Sequence, residues 1–254
     1  MRIISLNTWG GRAGKEGLLA FFTAHAADTD VFCLQEIWSA PYSDTAIEAG
    51  GVTLDQTGIM VYGLQEIAAA LPDFEPYFRP HHGDHYGLCT LVKKNVDVKA
   101  EGEVFVYKHK GFMPEGDIGH HARNIQFVTL EQNGAPFTII NFHGLWNGRG
   151  KGDSEERLEQ SGKIRDFITT LAGKVVLCGD FNLLPDTESI KMLEDAHLRN
   201  LVSEYGVTST RTSFYTKPEK FADYAFVSEG MQVATFSVLP DEVSDHAALL
   251  IDIK

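Results

Sequence analysis

Val175-Val176-Leu177-Cys178-Gly179-Asp180-Phe181-Asn182 is an apolar run that ends in a glycine-led turn carrying a carboxylate and a carboxamide two residues apart. The run reads as a buried strand. Placing charge and amide at its end costs several kcal/mol unless a metal, a partner or a substrate compensates. The pair suits chemistry in which one group orients or deprotonates water and a second holds an oxygen.

The same pattern occurs around this stretch and near the start of the chain. Ile3-Ile4-Ser5-Leu6 ends in Asn7-Thr8-Trp9-Gly10-Gly11, a helix-like segment follows (Leu18, Leu19, Phe21, Phe22), and Val31-Phe32-Cys33-Leu34 ends in Gln35-Glu36. In the second half, Phe137-Thr138-Ile139-Ile140 leads to Asn141-Phe142-His143-Gly144. A helix is expected over 154–171, where Ile164, Phe167, Ile168 and Leu171 keep three-and-four spacing. Each half thus contributes two strands that finish in polar residues, with a helix packed outside. This predicts an α/β sandwich in one domain, residues 1–254: two central sheets flanked by helices.

Elsewhere the pattern is less regular. Residues 59–70 read as a helix or a strand pair, and 88–106 as two strands about a Lys93-Lys94-Asn95 turn. Residues 108–121 read as a loop. Residues 124–130 alternate like a strand, with Glu131-Gln132-Asn133-Gly134 as a hairpin turn, and 247–253 form the last strand.

A chain of 254 residues can bury a substantial core. Its net charge of −13 argues against a broad positive groove for nucleic acid. It leaves a phosphoester substrate open, because a cation-binding site must itself be locally acidic. Cys33, Cys89 and Cys178 lie among apolar residues, are odd in number and form no C-x-x-C spacing; they read as buried thiols in a reducing cytoplasm. A signal peptide already removed would leave secretion open. No apolar run reaches the ~18 residues of a membrane span, and the N-terminus reads as a first strand rather than a leader.

Six polar strand ends stand out: Asn7, Glu36, His143, Asp180 with Asn182, Asp223, and Asp245 with His246. Singly, each is more often a cap or a turn than a catalyst; jointly their types match one reaction. Leu6-Asn7-Thr8-Trp9-Gly10, Leu34-Gln35-Glu36, Asn141-Phe142-His143, Gly179-Asp180-Phe181-Asn182, Ala222-Asp223-Tyr224 and Ser244-Asp245-His246 resemble the ordered motifs of the endonuclease/exonuclease/phosphatase superfamily. That superfamily includes deoxyribonuclease I, apurinic endonucleases, inositol polyphosphate 5-phosphatases and neutral sphingomyelinases.

The resemblance implies a four-layer α/β sandwich, two central mixed β-sheets packed face to face with helices on both outer faces, and divalent-metal-dependent phosphoester hydrolysis. Glu36, Asn7 and Asp245 are the expected metal residues, with Mg²⁺ the expected ion and Mn²⁺ able to substitute. Asp180 is expected to orient or deprotonate the attacking water, and Asn182 to donate to a phosphate oxygen. His246, held by Asp223, is expected to stabilise the phosphoryl group, and His143 to polarise the phosphate or serve the leaving group. Trp9 stands where some relatives carry a second acid, which leaves one-metal and two-metal mechanisms open.

Arg123 is a candidate phosphate clamp. Arg149 and Lys151, in Gly148-Arg149-Gly150-Lys151-Gly152, are candidate backbone contacts in what also reads as an exposed loop. His81, His82 and His85 crowd one segment with Asp84, read as a solvated loop near the substrate rather than a zinc site. His120 and His121 are candidates to line the cleft; Trp146, Phe112 and Met113 are candidates for stacking or lipid contact. The expected substrate is a nucleic acid or a small phosphodiester, cleaved by a monomer with no stable protein partner and no transmembrane anchor. A small-molecule or lipid head-group phosphodiesterase or phosphatase is the alternative, and a non-catalytic binding module on the same fold is the third reading.

Overall fold

The computed structural model describes residues 1–41, 47–49, 52–54, 57–132 and 134–254. In chain order the elements are β1 (Arg2–Asn7), α1 (Lys15–His25), β2 (Val31–Trp38), β3 (Ile47–Ala49), β4 (Val52–Leu54), α2 (Gly63–Ala70), β5 (Phe74–His82), β6 (Tyr86–Lys93) and β7 (Val98–Tyr107). There follow β8 (Arg123–Gln132), β9 (Ala135–His143), α3 (Glu155–Thr170), β10 (Lys174–Asp180), α4 (Glu188–Glu194), β11 (Leu198–Asn200), α5 (Leu201–Glu204), β12 (Asp223–Ser228), β13 (Val233–Val238) and β14 (Leu249–Ile253).

One six-stranded sheet runs β13-β14-β1-β2-β6-β5 and the other β11-β12-β10-β9-β8-β7. Each is built around a parallel pair, β1/β2 in one and β9/β10 in the other, flanked by antiparallel neighbours. The two-half pattern of the sequence is therefore a real repeat of architecture. The sheets pack face to face, with α1 and α2 against the first and α3, α4 and α5 against the second. This is the four-layer sandwich.

Strand alternation sorts the side chains. On β1 and β2, Ile3, Val31 and Cys33 enter the core between the sheets, whereas Ile4, Phe32 and Leu34 pack with Leu18, Phe21 and Phe22 of α1. Nearer the rim the inter-sheet layer turns polar. Gln35 Nε2 donates to Asn141 Oδ1 at 2.6 Å, Thr90 Oγ1 to Gln126 Oε1 at 2.9 Å, and Asn141 Nδ2 to the Leu34 carbonyl at 3.1 Å. These buried bonds cross from one sheet to the other and fix their relative register, so that the strand ends meet.

The expected helix at 154–171 is α3: Ser154 Oγ accepts from the Arg157 N–H, with Glu155 and Glu156 in the first turn. Of residues 59–70, read as a helix or a strand pair, 63–70 form the helix α2 and 59–62 lead into it without a strand. The strands read in 88–106 are β6 and β7, but they belong to different sheets, so the Lys93-Lys94-Asn95 turn starts a crossover between layers. Residues 74–82, left without a strand in the sequence reading, form β5. In the 131–134 turn, Asn133 lies outside the described residues; Gln132 pairs with Ala135.

Candidate active site

Asp180 stands at the centre of the rim because its neighbours in register are His143 on β9 and Asp223 on β12. Gly179 makes this approach possible. At φ 142° it has no room for a side chain: a Cβ would lie 2.0 Å from the Phe142 carbonyl oxygen. Asn7 belongs to the inward-facing parity of Ile3 and Ser5. Glu36 does not, since Gln35 is the inward residue. A register irregularity between Leu34 and Ile37, with Glu36 at φ 59°, takes it out of the strand alternation at the rim. Trp9 (φ 51°) and Asn182 (φ 54°) share this left-handed backbone. Non-glycine residues held so cost ~1–2 kcal/mol each, and such strain concentrates at functional sites.

The hydrogen bonds then close a network. Asn7 Nδ2 donates to Glu36 Oε1 at 3.1 Å and to Asp180 Oδ2 at 2.9 Å, while Asn7 Oδ1 accepts from the Trp9 N–H at 2.9 Å. Asn7 therefore orients two carboxylates and has its own oxygen engaged. Asp180 Oδ1 accepts from the Asn182 N–H at 2.9 Å. His143 Nε2 and His246 Nε2 each lie 3.6 Å from Asp180 Oδ2. His246 Nδ1 lies 2.9 Å from both oxygens of Asp223. Ser244 Oγ donates to the Asn7 carbonyl at 2.7 Å, tying the Asp245–His246 turn to β1.

These groups are buried or nearly so, and for Glu36, Asp245, Asp223, His246 and His143 burial is the largest cause of the shift in titration. It raises the Glu36 carboxyl, against Arg12 and the Asn7 bond, and it raises the Asp245 carboxyl. It pushes Asp223 up to about 7 and His246 down to about 4, the latter helped by Arg211. His143 is held well below the usual imidazole range by burial and then by Arg123.

A cavity of about 230 Å³ joins these residues. Glu36, Arg123, His143, Asp180, Asn182, Asp245 and His246 line it; Asn7 and Asp223 stand behind. Arg149 is exposed and outside this lining. Lys151 from the same loop is buried and inside it. Trp146 also lines it, whereas Phe112 and Met113 do not.

His81 and His82 lie on β5 and are buried, not on a solvated loop. His81 Nδ1 lies 2.8 Å from Asn124 Oδ1, and the His81 ring stacks on His121 at 4.9 Å. Arg211 and Tyr215 did not stand out in the sequence. Arg211 reaches the cavity because its backbone bridges to His246, and its Nη1 lies 3.1 Å from Asp245 Oδ2. That long-range pairing leaves no local signature.

The donor set fits a hard divalent cation. Asp245 Oδ1 is buried with no hydrogen-bond partner among the described residues, and the Asp245 and Glu36 charges oppose each other. A cation would satisfy both. Asp180, Asp223 and His246 also bring ligand atoms within 4.8 Å of one another, although the Asp223 oxygens already face His246 Nδ1.

The model of the Endonuclease/Exonuclease/phosphatase family matches residues 4–246. The chain belongs to this family. Its members are phosphoester hydrolases, generally dependent on divalent metal. No curated protein matches the chain. Among solved structures of the family's fold, the mannosyl-6-phosphatase Bt3783 of Bacteroides thetaiotaomicron VPI-5482 superposes with a TM-score of 0.75 at 16% identity, over 100% of this chain and 99% of that one. A functionally unknown conserved protein from Enterococcus faecalis V583 gives 0.72 at 20% identity, over 100% and 99%. D. rerio TDP2, complexed with single-strand DNA product, gives 0.67 at 16% identity, over 100% and 98%. These likenesses establish the fold shared within the family. Among the described residues no helix is long and apolar enough to cross a membrane.

Proposed function

We propose that this chain is a Mg²⁺-dependent phosphoester hydrolase, with Mn²⁺ able to substitute, in which Asp180 orients or deprotonates the attacking water. The observation that carries this reading is the convergence on Asp180 Oδ2 of Asn7 Nδ2 at 2.9 Å and of His143 Nε2 and His246 Nε2 at 3.6 Å, inside a cavity shared with Glu36 and Asp245. Glu36 and Asp245 would hold the cation, with Asn7 fixing Glu36 and Asp180. When bound, the cation neutralises charge on the phosphoryl oxygens and lowers the pKa of water. His246, positioned by Asp223, donates to the phosphoryl group, whose negative charge favours the imidazolium that burial alone disfavours. Asn182 Nδ2 donates to the Gly144 carbonyl at 3.3 Å and keeps a second N–H for a phosphate oxygen. His143 polarises the phosphate or serves the leaving group.

Within this class, a phosphodiesterase or nuclease role finds a parallel in TDP2, and a small-ester role in the mannosyl-6-phosphatase. The compact cavity, with its cations inside rather than along an open groove, favours the small ester. We place the reaction in a reducing cytoplasm, which suits three free buried cysteines, and in a monomer, since one chain supplies the whole rim.

The test is a panel of plasmid, single-stranded DNA, RNA, small phosphate esters and sphingomyelin, each with Mg²⁺, Mn²⁺ or Ca²⁺. Hydrolysis is expected only with metal, and Asp180→Ala is expected to lose at least ~100-fold. Near-wild-type turnover in Asp180→Ala would sink the assignment.

A further inference from the structure

The cavity contains two buried cations that, among the described residues, form no ion pair, although Asp180 lies near enough to act on both through its charge. Arg123 is 2% exposed and Lys151 is 3% exposed, and among the described residues neither has a carboxylate within ion-pair distance. Arg123 reaches the Gly119 carbonyl through Nη2, at 3.5 Å, and interacts with the Tyr86 side chain, while among the described residues its Nε and Nη1 are buried without a hydrogen-bond partner. Lys151 Nζ donates to the Phe221 carbonyl at 2.9 Å and sits over the Tyr215 ring at 5.1 Å. The Arg211 guanidinium lies over the same ring at 4.0 Å, so Lys151 has a second cation beside it, and Arg211 already has Asp245. An unpaired buried charge costs several kcal/mol and is held only where something offsets it.

The topology sets these cations on opposite flanks of the reaction centre. Across the rim the strands follow in the order β8, β9, β10 and β12, with Arg123 at the start of β8, one residue before the position level with His143, and then His143, Asp180 and Asp223 in register. Strands are spaced by about 4.8 Å, and Lys151 is anchored to Phe221, two residues before Asp223. A phosphoryl group over Asp180 therefore has Arg123 on one side and Lys151 on the other.

We infer that Arg123 and Lys151 form a two-sided cation clamp that selects a terminal phosphate, making the substrate a small phosphomonoester rather than a diester. The inference rests on the hydrolase reading above. A terminal phosphate carries about −1.5 to −2 charges and three free acceptor oxygens near neutral pH. A diester carries one charge and two free oxygens, so one flank would meet an esterified oxygen and leave its cation unpaired. In the reaction, the water oxygen bonds to phosphorus and the P–O bond to the alcohol breaks. The two water protons end on the alcohol and on the released inorganic phosphate.

The test uses the full chain with Mg²⁺ and reads binding as well as turnover. Calorimetry compares inorganic phosphate with dimethyl phosphate; initial rates compare p-nitrophenyl phosphate with bis-p-nitrophenyl phosphate. Phosphate is expected to bind at least ~10-fold more tightly than dimethyl phosphate, and Lys151→Met to weaken phosphate by ~10–100-fold, the scale of a charge-assisted hydrogen bond. Dimethyl phosphate should change far less, Lys151→Arg should recover most of the loss, and the monoester should be the faster substrate. Ligand-free Lys151→Met is expected to melt no lower than wild type, because it removes an unpaired charge.

Equal binding and cleavage of the two esters would overturn the clamp. So would unchanged phosphate affinity in Lys151→Met, or a lower melting point that Lys151→Arg restores without any effect on binding. If neither ester is cleaved while phosphate affinity still depends on Lys151, the anion clamp stands and the hydrolase reading falls.

Discussion

The two sides of the cleft solve the problem of burying polar groups differently. On the β10, β12 and β14 side, two charge pairs form, His246 with Asp223 and Arg211 with Asp245, and Lys151 stands beside them on the Phe221 carbonyl. On the β5, β6 and β8 side, Arg123 stands among imidazoles held neutral. Burial first and Arg123 second lower His81, His121 and His143 well below their usual range. Their rings form a continuous file, with His81 to His121 at 4.9 Å, His82 to His121 at 5.2 Å and His81 to His143 at 5.9 Å. The paired side can move protons without a large change in net charge. Among the described residues no carboxylate lies within ion-pair distance of Arg123, with Asp180 and Glu36 acting on it only at longer range, so its guanidinium can take a ligand.

If that division is real, the two sides should respond unequally to loss of one imidazole. His246→Ala is expected to reduce kcat by ~100–10,000-fold, as for a removed acid–base group. His121→Ala is expected to stay within about 10-fold, since the ring lines the cavity without touching Asp180. Equal losses in steady-state assays would erase the distinction. A second, smaller effect concerns the link between the sheets. Asn7→Ala leaves Glu36 and Asp180 unoriented, and Mg²⁺ affinity measured by calorimetry should fall by ~10–100-fold, the scale for an outer-shell partner of a metal ligand. Unchanged affinity would mean that Glu36 is held by its strained backbone alone.

The paired side was legible in the sequence apart from Arg211, and on the neutral side His143, Arg123 and His121 were candidates whereas the strand that buries His81 and His82 was not read. Asp180, Asp223 and His246 each end or follow an apolar run, and their neighbours form short motifs that read locally. His81 and His82 also sit on a strand, but Pro76, Pro80 and the Arg79-Pro80-His81-His82-Gly83 stretch break every strand signal there. β5 is an edge strand, where prolines are tolerated because no outer neighbour needs the N–H. Lys151 was visible only as one cation in a glycine-rich loop; its burial depends on the Phe221 carbonyl 70 residues away. Glu36 was found by its position after a strand, yet the backbone irregularity that re-aims it has no sequence signal. The fold was readable from two repeated halves, whereas the crossover from β6 to β7 needed the tertiary structure.

The contrast also predicts a pH dependence of stability. On the paired side, the raised Asp223 makes stability fall as pH rises from 3.8 to about 7, with the raised Asp245 acting in the same direction, while the lowered His246 makes it rise from about 4 to 6.5. Over the shared window these trends offset. On the neutral side, His81, His121 and His143 all act in one direction. Each is lowered below 6.5, so the unfolded chain binds more protons below that pH, and stability falls as pH drops below 6.5. Thermal melts at about pH 7.5 and 5.0 should show lower stability in acid, with a shift of ~2–4 °C for each kcal/mol lost. His121→Gln should flatten that fall. An equally steep fall in this variant would place the acid sensitivity elsewhere.

The smallest expected effect tests where the substrate ends. Arg149 and Lys151 are two residues apart in one loop, yet only Lys151 enters the cavity. Arg149→Ala should change kcat/KM for a small phosphate ester by less than about 2-fold, in line with an exposed position free of structural roles, where effects stay within ~0.5 kcal/mol. A polymeric substrate would have to leave the cavity past its exposed loops, and there an extra cation acts on phosphates that a small ester lacks. If Arg149→Ala lowered turnover of single-stranded DNA or RNA with a strong salt dependence, while sparing the small ester, the reactive groups inside would still be those described. The substrate would then extend beyond them, and the terminal-phosphate clamp would be reading the end of a chain rather than a small molecule.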